Sequence, residues 1–221
     1  MRTLLLVDLQ VDFMPGGAMG IPDGDAVIPV ANKIEPYFDL VLATQDWHPA
    51  NHSYFAVNHP NKAPGDVVEM HGTQQILWPV HCVESSHGSR LSPRLNRDKI
   101  MKVFHKGTDA KVDSYSTFFD NAHLRDTGLA KYLRKQRISE IYIMGLATDY
   151  CVLWSALDAI GLGFSCCVIT DGCRAINRNS EDEAAAYRKM ADAGVHLMTS
   201  DELVRSIKRS GIRRAASSAA G

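Results

Sequence analysis

The chain carries almost no net charge: 24 Lys and Arg stand against 25 Asp and Glu, giving −1 at neutral pH. Without a basic excess there is no electrostatic footprint for nucleic acid or for an anionic membrane surface. Long hydrophobic runs are missing as well. Leu4-Leu5-Leu6-Val7 opens like a signal peptide, but Asp8 ends the apolar stretch after four residues, and no later run approaches a bilayer span. Cysteines are few and odd in number. Cys82, Cys151, Cys166, Cys167 and Cys173 lack the spacing of a small disulfide scaffold, which points to reduced thiols and a cytoplasmic location. No internal repeat and no composition break divides the chain. With 221 residues, 45% hydrophobic and 22% charged, it reads as one soluble globular domain over residues 1–209. A frayed Arg/Ala/Ser tail follows over 210–221.

What is present is a series of short, continuous apolar runs, as expected of parallel strands covered on both faces. They are Leu4–Val7, Leu40–Ala43, Ile100–Phe104, Glu140–Met144, Ser165–Ile169 and Val195–Met198. Helical patterns fall between them, at about 26–38 (with Asp25 as cap), 122–136, 152–160, 180–193 and 200–209. This alternation predicts a doubly wound, three-layer α/β/α domain around a six-stranded parallel sheet. Residues 45–100 break the rhythm. They are rich in His, Asn, Pro and Gly, and read as a loop-rich insertion with short strands near Val67-Val68 and a helical turn near Gln74–Ile76.

In such a sheet, ligands bind beyond the carboxyl ends of the strands. Cys151 lies in a turn there, between the run ending at Met144 and the following helix. A helix start favours a thiolate, although a lone cysteine is more often a small buried thiol. Asp8, Lys106 and Asp46 with His48 follow three other strands. Singly, each has a bland reading as cap, solvated charge or packed histidine. Together they make coherent chemistry: Cys151 as nucleophile, Asp8 as acceptor of its proton, and Lys106 as the cation that keeps both ionised. Asp149 opposes the thiolate. Amides of the turn, those of Ala147 and Cys151, are candidates to hold an oxyanion.

Asp46 and His48, at i and i+2 of an extended segment, point to one side, and His81 from the insertion completes a facial metal set with open positions. His52 stands as an optional fourth ligand. His59, His71 and His87 have no spacing argument and read as ordinary loop histidines. Phe13 and Trp78 are candidates to sandwich a flat ring, with Tyr115 as a further wall.

The chain resembles the nicotinamidase/pyrazinamidase group of isochorismatase-like cysteine hydrolases. The matching pieces are Leu6–Phe13, Thr44–Pro49, Leu77–Val83, His105-Lys106-Gly107, Asp113–Ser116, Gly145–Val152 and Ile169–Arg174. They run in order over roughly residues 3 to 200. The resemblance implies a catalytic triad of Asp8, Lys106 and Cys151, and a cis peptide at Leu146–Ala147 that turns the Ala147 amide toward the oxyanion. It also implies one divalent ion on Asp46, His48 and His81, zinc first with iron or manganese as alternatives, that receives the pyridine nitrogen of nicotinamide. The implied reaction is hydrolysis of nicotinamide, and of pyrazinamide, in NAD salvage, by a cytoplasmic enzyme whose assembly into a homo-oligomer stays open. Two rivals remain: an amidase for a carbamoyl or ureido compound, and a non-catalytic ligand-binding relative.

Overall fold

The computed structural model describes residues 1–70 and 72–218, without the side chains of Thr73 and of residues from 210 on. The chain begins with β1 (Thr3–Val7), α1 (Val27–Ile34) and β2 (Leu40–Asp46). The insertion then contributes β3 (Val67–Met70) and β4 (Thr73–Ile76). After it come β5 (Ile100–Lys106), α2 (Leu129–Lys135), β6 (Glu140–Leu146) and α3 (Leu153–Gly161). The chain closes with β7 (Ser165–Arg174), α4 (Asp182–Asp192), β8 (His196–Met198) and α5 (Ser200–Ser218).

Six strands form one parallel sheet in the order β5-β2-β1-β6-β7-β8, as the apolar runs predict. The central strands are dry: Leu4, Leu5, Leu6 and Val7 of β1 and Ile141, Ile143 and Met144 of β6 are fully buried. Apolar runs can be covered on both faces only if helices pack on each side. Here α1 packs with α5, and α3 packs with α4. Helix α1 shows why: Val27, Ile28, Ala31 and Ile34 place its buried residues along one stripe.

The sheet order reverses between β1 and β6. Successive strands step away from β1 on one side through β2 and β5, and on the other through β6, β7 and β8. At such a switch point the loops leaving the two central strands part and open a crevice. The loops after Val7 and Leu146 therefore face each other, and these carry Asp8 and Cys151.

Several local expectations needed correction. Among the described residues no α-helix crosses from β2 to β5; the insertion, with one 3-10 turn at Ala56–Asn58, makes that connection, so the strand–helix alternation is incomplete. Residues Gln74–Ile76 form strand β4, paired antiparallel with β3 (Val67↔Ile76, Met70↔Thr73), not a helical turn. Helix α2 is confined to Leu129–Lys135, with turns and loops ahead of it. Asp25 does not cap α1; it lies in a short 3-10 turn and pairs with Arg94 at 2.8 Å. Helix α5 is drawn past residue 209, and the expected tail falls where side chains, and from 219 the backbone, lie outside the described residues.

Candidate active site

Strands β1, β2, β5 and β6 end at one edge of the sheet, and each delivers one chemical group. Neighbouring parallel strands β2 and β5 are in register at Asp46↔Lys106, so these two side chains leave the sheet side by side. Strand β6 approaches β1 very closely. A Cβ on Gly145 would lie 2.1 Å from the Val7 carbonyl oxygen, and its φ of +137° is one that side-chain-bearing residues rarely adopt. The Leu146–Ala147 peptide is cis, as the resemblance implies. A π-helical turn, Thr148–Val152, then leads into α3 and carries Cys151.

Lys106 is the hub. Its Nζ donates to Asp46 Oδ1 at 2.5 Å, to the Ser114 carbonyl at 2.9 Å and to Cys151 Sγ at 3.3 Å. It also lies 2.9 Å from Asp8 Oδ2. An ammonium has three protons, and here they serve the first three acceptors. The Asp8 contact is therefore electrostatic, and Asp8 Oδ2 accepts no hydrogen bond although it is buried. Asp8 Oδ1 takes the Thr44 hydroxyl proton at 2.6 Å. Asp8 and Cys151 offer atoms within 4.8 Å of each other, so a carboxylate oxygen stands near the thiol.

Burial governs the ionisation of this group. It raises Asp8 to about 6, with Lys106 opposing and Asp46 reinforcing the rise. It also pushes the Cys151 thiol well above its ordinary value, against the pull of Lys106. The expectation of a resting thiolate thus fails: desolvation of the sulfur outweighs both the turn and the ammonium. Burial works against the Lys106 charge, yet Asp46 and Asp8 hold its pKa well above the usual lysine range. At neutral pH the site therefore holds an ammonium, two carboxylates and a protonated thiol. Asp149 does not bear on the sulfur as expected. Its carboxylate accepts the amides of Ile176 (3.0 Å) and Asn177 (2.9 Å), tying the nucleophile turn to the loop after β7.

Beside Asp8, Lys106 and Cys151, the residues Asp46, His48 and His81 bring one ligand atom each within 4.8 Å of one another. Asp46 Oδ2 is 3.7 Å from His48 Nε2 and 4.0 Å from His81 Nε2. His48 Nδ1 meets the Gly107 carbonyl at 2.9 Å, and His81 Nδ1 meets the Pro79 carbonyl at 2.7 Å. A carbonyl can only accept, so each Nδ1 donates its proton and Nε2 is the atom turned to the cluster. Burial opposes a second proton on His48, yet Asp46 raises its pKa above the ordinary value. His81 stays neutral, held down to about 4 by burial and by His48. Burial opposes ionisation of Asp46, but Lys106, and after it His48, hold its carboxyl far below the ordinary range. The donor set of one carboxylate and two imidazoles fits a divalent ion with open positions. His52 differs from its neighbours. Its Nδ1 accepts the Tyr54 amide at 3.2 Å, its Nε2 is buried without a hydrogen-bond partner, and it groups with His48 and Asp113 rather than with Asp46 and His81.

A small cavity joins the two clusters. Phe13, Trp78 and Tyr115 line it, together with Asp46, His81, Ala147 and Cys151. Asp8, Lys106 and His48 stand behind this wall and act through Cys151 and Asp46. Of the remaining histidines, His59 is held by the Ser53 carbonyl at 2.6 Å, and His71 lies outside the described residues.

Several supporting residues carry no signal in the sequence beyond their polarity. Gln10 clamps the backbone of Asp46, donating to its carbonyl and accepting from its amide, both at 2.8 Å. Asp12 accepts the Cys82 amide at 2.7 Å and so anchors the segment that carries His81. Tyr150 and Ile176 add walls that the motif reading did not name.

This arrangement has relatives. The chain is 48% identical over 202 residues to the nicotinamidase of Escherichia coli, covering 90% of this chain and 94% of that one. Its fold matches a nicotinamidase/pyrazinamidase structure from Acinetobacter baumannii with a TM-score of 0.89 at 40% identity, over 91% and 97% of the two chains. It also matches the pyrazinamidase of Pyrococcus horikoshii, solved in complex with zinc, with a TM-score of 0.72 at 34% identity over 90% and 98%. The isochorismatase domain profile spans residues 2–202, and the chain belongs to the isochorismatase domain family.

Proposed function

We propose that this chain is a metal-dependent nicotinamidase that hydrolyses nicotinamide to nicotinate and ammonia. The observation that carries the reading is the joining of two clusters by one cavity: a cysteine with a carboxylate and a cation, and a carboxylate with two imidazoles of the kind that holds a metal. The first is the equipment of covalent amide hydrolysis. The second supplies a fixed point for a heteroaromatic ring nitrogen. Similarity to nicotinamidases at up to 48% identity supports the same substrate.

In this mechanism Asp8 takes the Cys151 thiol proton through its free Oδ2 as the sulfur attacks the carboxamide carbon. Lys106, in contact with Sγ, stabilises the negative charge as it forms. The oxyanion rests on the amides of Ala147 and Cys151; the neighbouring Tyr150 and Val152 amides are already spent on the Ala147 carbonyl. Asp8 passes its proton to the departing ammonia, leaving a thioester on Cys151. It then deprotonates the water that cleaves the thioester, and the thiol is restored. Phe13 and Trp78 flank the ring, and Tyr115 fixes Trp78 by accepting its indole N–H at 3.2 Å. Asp46, His48 and His81 would hold the ion, with zinc the first choice and iron or manganese compatible with the same donors. When bound, the ion supplies a Lewis acid for the ring nitrogen.

Pyrazinamide carries the same nitrogen and carboxamide and is expected to react. The role is return of nicotinamide to NAD, in a cytoplasm that suits five free cysteines. No described helix is long and apolar enough to cross a membrane. Ammonia release from nicotinamide, before and after chelation and metal restoration, tests the assignment. Rapid release lost on chelation is expected; equal turnover of benzamide, which lacks the ring nitrogen, would remove the metal from substrate recognition.

A further inference from the structure

The ring cavity is roofed by three aromatic side chains, and the third is held from outside the site. Tyr150 stands edge-on to Trp78 with ring centroids 5.1 Å apart, and to Tyr115 at 5.4 Å. It lines both the ring cavity and a larger outer cavity, where Ile76, Trp154 and Arg178 also stand. The exposed Arg178 reaches back over this boundary. It donates from Nη2 to the Gly65 carbonyl at 2.7 Å, joining segments 113 residues apart, and shares the lining of the outer cavity with Tyr150.

Both ends of this link lead to the site. Gly65 donates its amide to the Leu77 carbonyl at 2.7 Å, closing the base of the β3–β4 hairpin next to Trp78. On the other side, Arg178 follows Ile176 and Asn177, whose amides Asp149 holds against the nucleophile turn. We propose that Arg178 is a positioning residue that clasps the hairpin base and Tyr150 together, closing the ring cavity and setting the size of molecule that can reach Cys151. The proposal deepens the nicotinamidase reading by naming what limits its substrate class to small, single rings. An arginine presents its donors in a fixed plane, a geometry a lysine does not reproduce.

The test is alkylation of Cys151 in the full-length protein, followed by peptide mass analysis, with iodoacetamide as small reagent and fluorescein maleimide as bulky one. All five cysteines are buried, but only Cys151 lines the ring cavity, so the other four serve as internal controls. Loss of one charge-assisted hydrogen bond is expected to make Arg178→Ala react about tenfold faster with the bulky reagent, since such a bond shifts an equilibrium by roughly that factor. The iodoacetamide rate should stay within about twofold, and Arg178→Lys should fall between variant and parent. Nicotinamide KM should rise in Arg178→Ala with kcat held or increased. An unchanged bulky-reagent rate, or an equal rise for both reagents with the buried cysteines also labelled, would overturn the clasp. Labelling needs no turnover, so inactivity toward nicotinamide would sink the substrate assignment and leave this test standing.

Discussion

Replacing Thr44 with Val should move the acid limb of activity upward by more than one pH unit. Thr44 is fully buried, and its hydroxyl donates to Asp8 Oδ1 at 2.6 Å. Valine keeps the shape and deletes that proton. A hydrogen bond to a buried charged group is worth about 1.5–3 kcal/mol, and one pKa unit corresponds to about 1.4 kcal/mol, so Asp8 should rise by roughly 1–2 units. The parent value is about 6, held up by burial against Lys106. Asp8 must be ionised to take the thiol proton, so kcat/KM falls as pH drops through this pKa in the free enzyme. The parent acid limb is expected near 6, and that of Thr44→Val at about 7–8.

Stability should report the same group independently. Asp8 has a folded pKa raised above its unfolded value, so its contribution to stability is present below the unfolded value near 3.8 and is lost as pH rises through about 6. At alkaline pH the variant holds a buried carboxylate with one fewer donor and should be less stable than the parent by about 2 kcal/mol. As Asp8 becomes protonated, the difference should shrink. Urea melts at mildly alkaline and mildly acidic pH, alongside kcat/KM profiles on nicotinamide, measure both effects. An acid limb unmoved in Thr44→Val, in a folded variant, would refute Asp8 as the proton acceptor.

Other substitutions address separate parts of the site. Cys151→Ala should retain the parent melting behaviour and lose turnover by at least about a thousandfold, as expected of a covalent nucleophile; ammonia release near the parent rate would end that assignment. His48→Ala should lower bound metal, read by elemental analysis, and weaken nicotinamide binding in titration, whereas full metal content would remove His48 from the ligand set. Gly145→Ala forces a Cβ to 2.1 Å from the Val7 carbonyl at a φ of +137°, and should destabilise by about 3 kcal/mol or more in denaturant melts, with activity falling as β1 and β6 are pushed apart.

The parallel sheet was legible because burial on both faces leaves continuous apolar runs, and the site was legible because parallel strands end at one edge. Asp8, Asp46, Lys106 and Cys151 needed no contact information beyond that rule. The β3–β4 hairpin was not legible in the same way. Gln74 and Gln75 are poor strand signals, and the pairing that makes them β comes from Val68 and Glu69 across the hairpin. The direction of Asp149 was misjudged because sequence adjacency to Cys151 says nothing of where a side chain points in a π-helical turn.

The ionisation of Cys151 shows most clearly what spacing cannot carry. A cysteine at the start of a helix, next to a lysine, argues for a thiolate; that argument holds where water still reaches the sulfur. Here Lys106 is itself buried, and its protons go first to Asp46, Ser114 and Cys151 while Asp8 and Asp46 neutralise its charge. The register Asp46↔Lys106 decides this, because it makes Asp46 share the ammonium with Cys151. A lysine so shared cannot keep a free thiolate at rest. It can stabilise one formed in step with proton transfer to Asp8, whose pKa of about 6 leaves it ionised and ready at neutral pH. On the proposed reading, the thiolate therefore forms as its proton passes to Asp8, rather than standing free at rest.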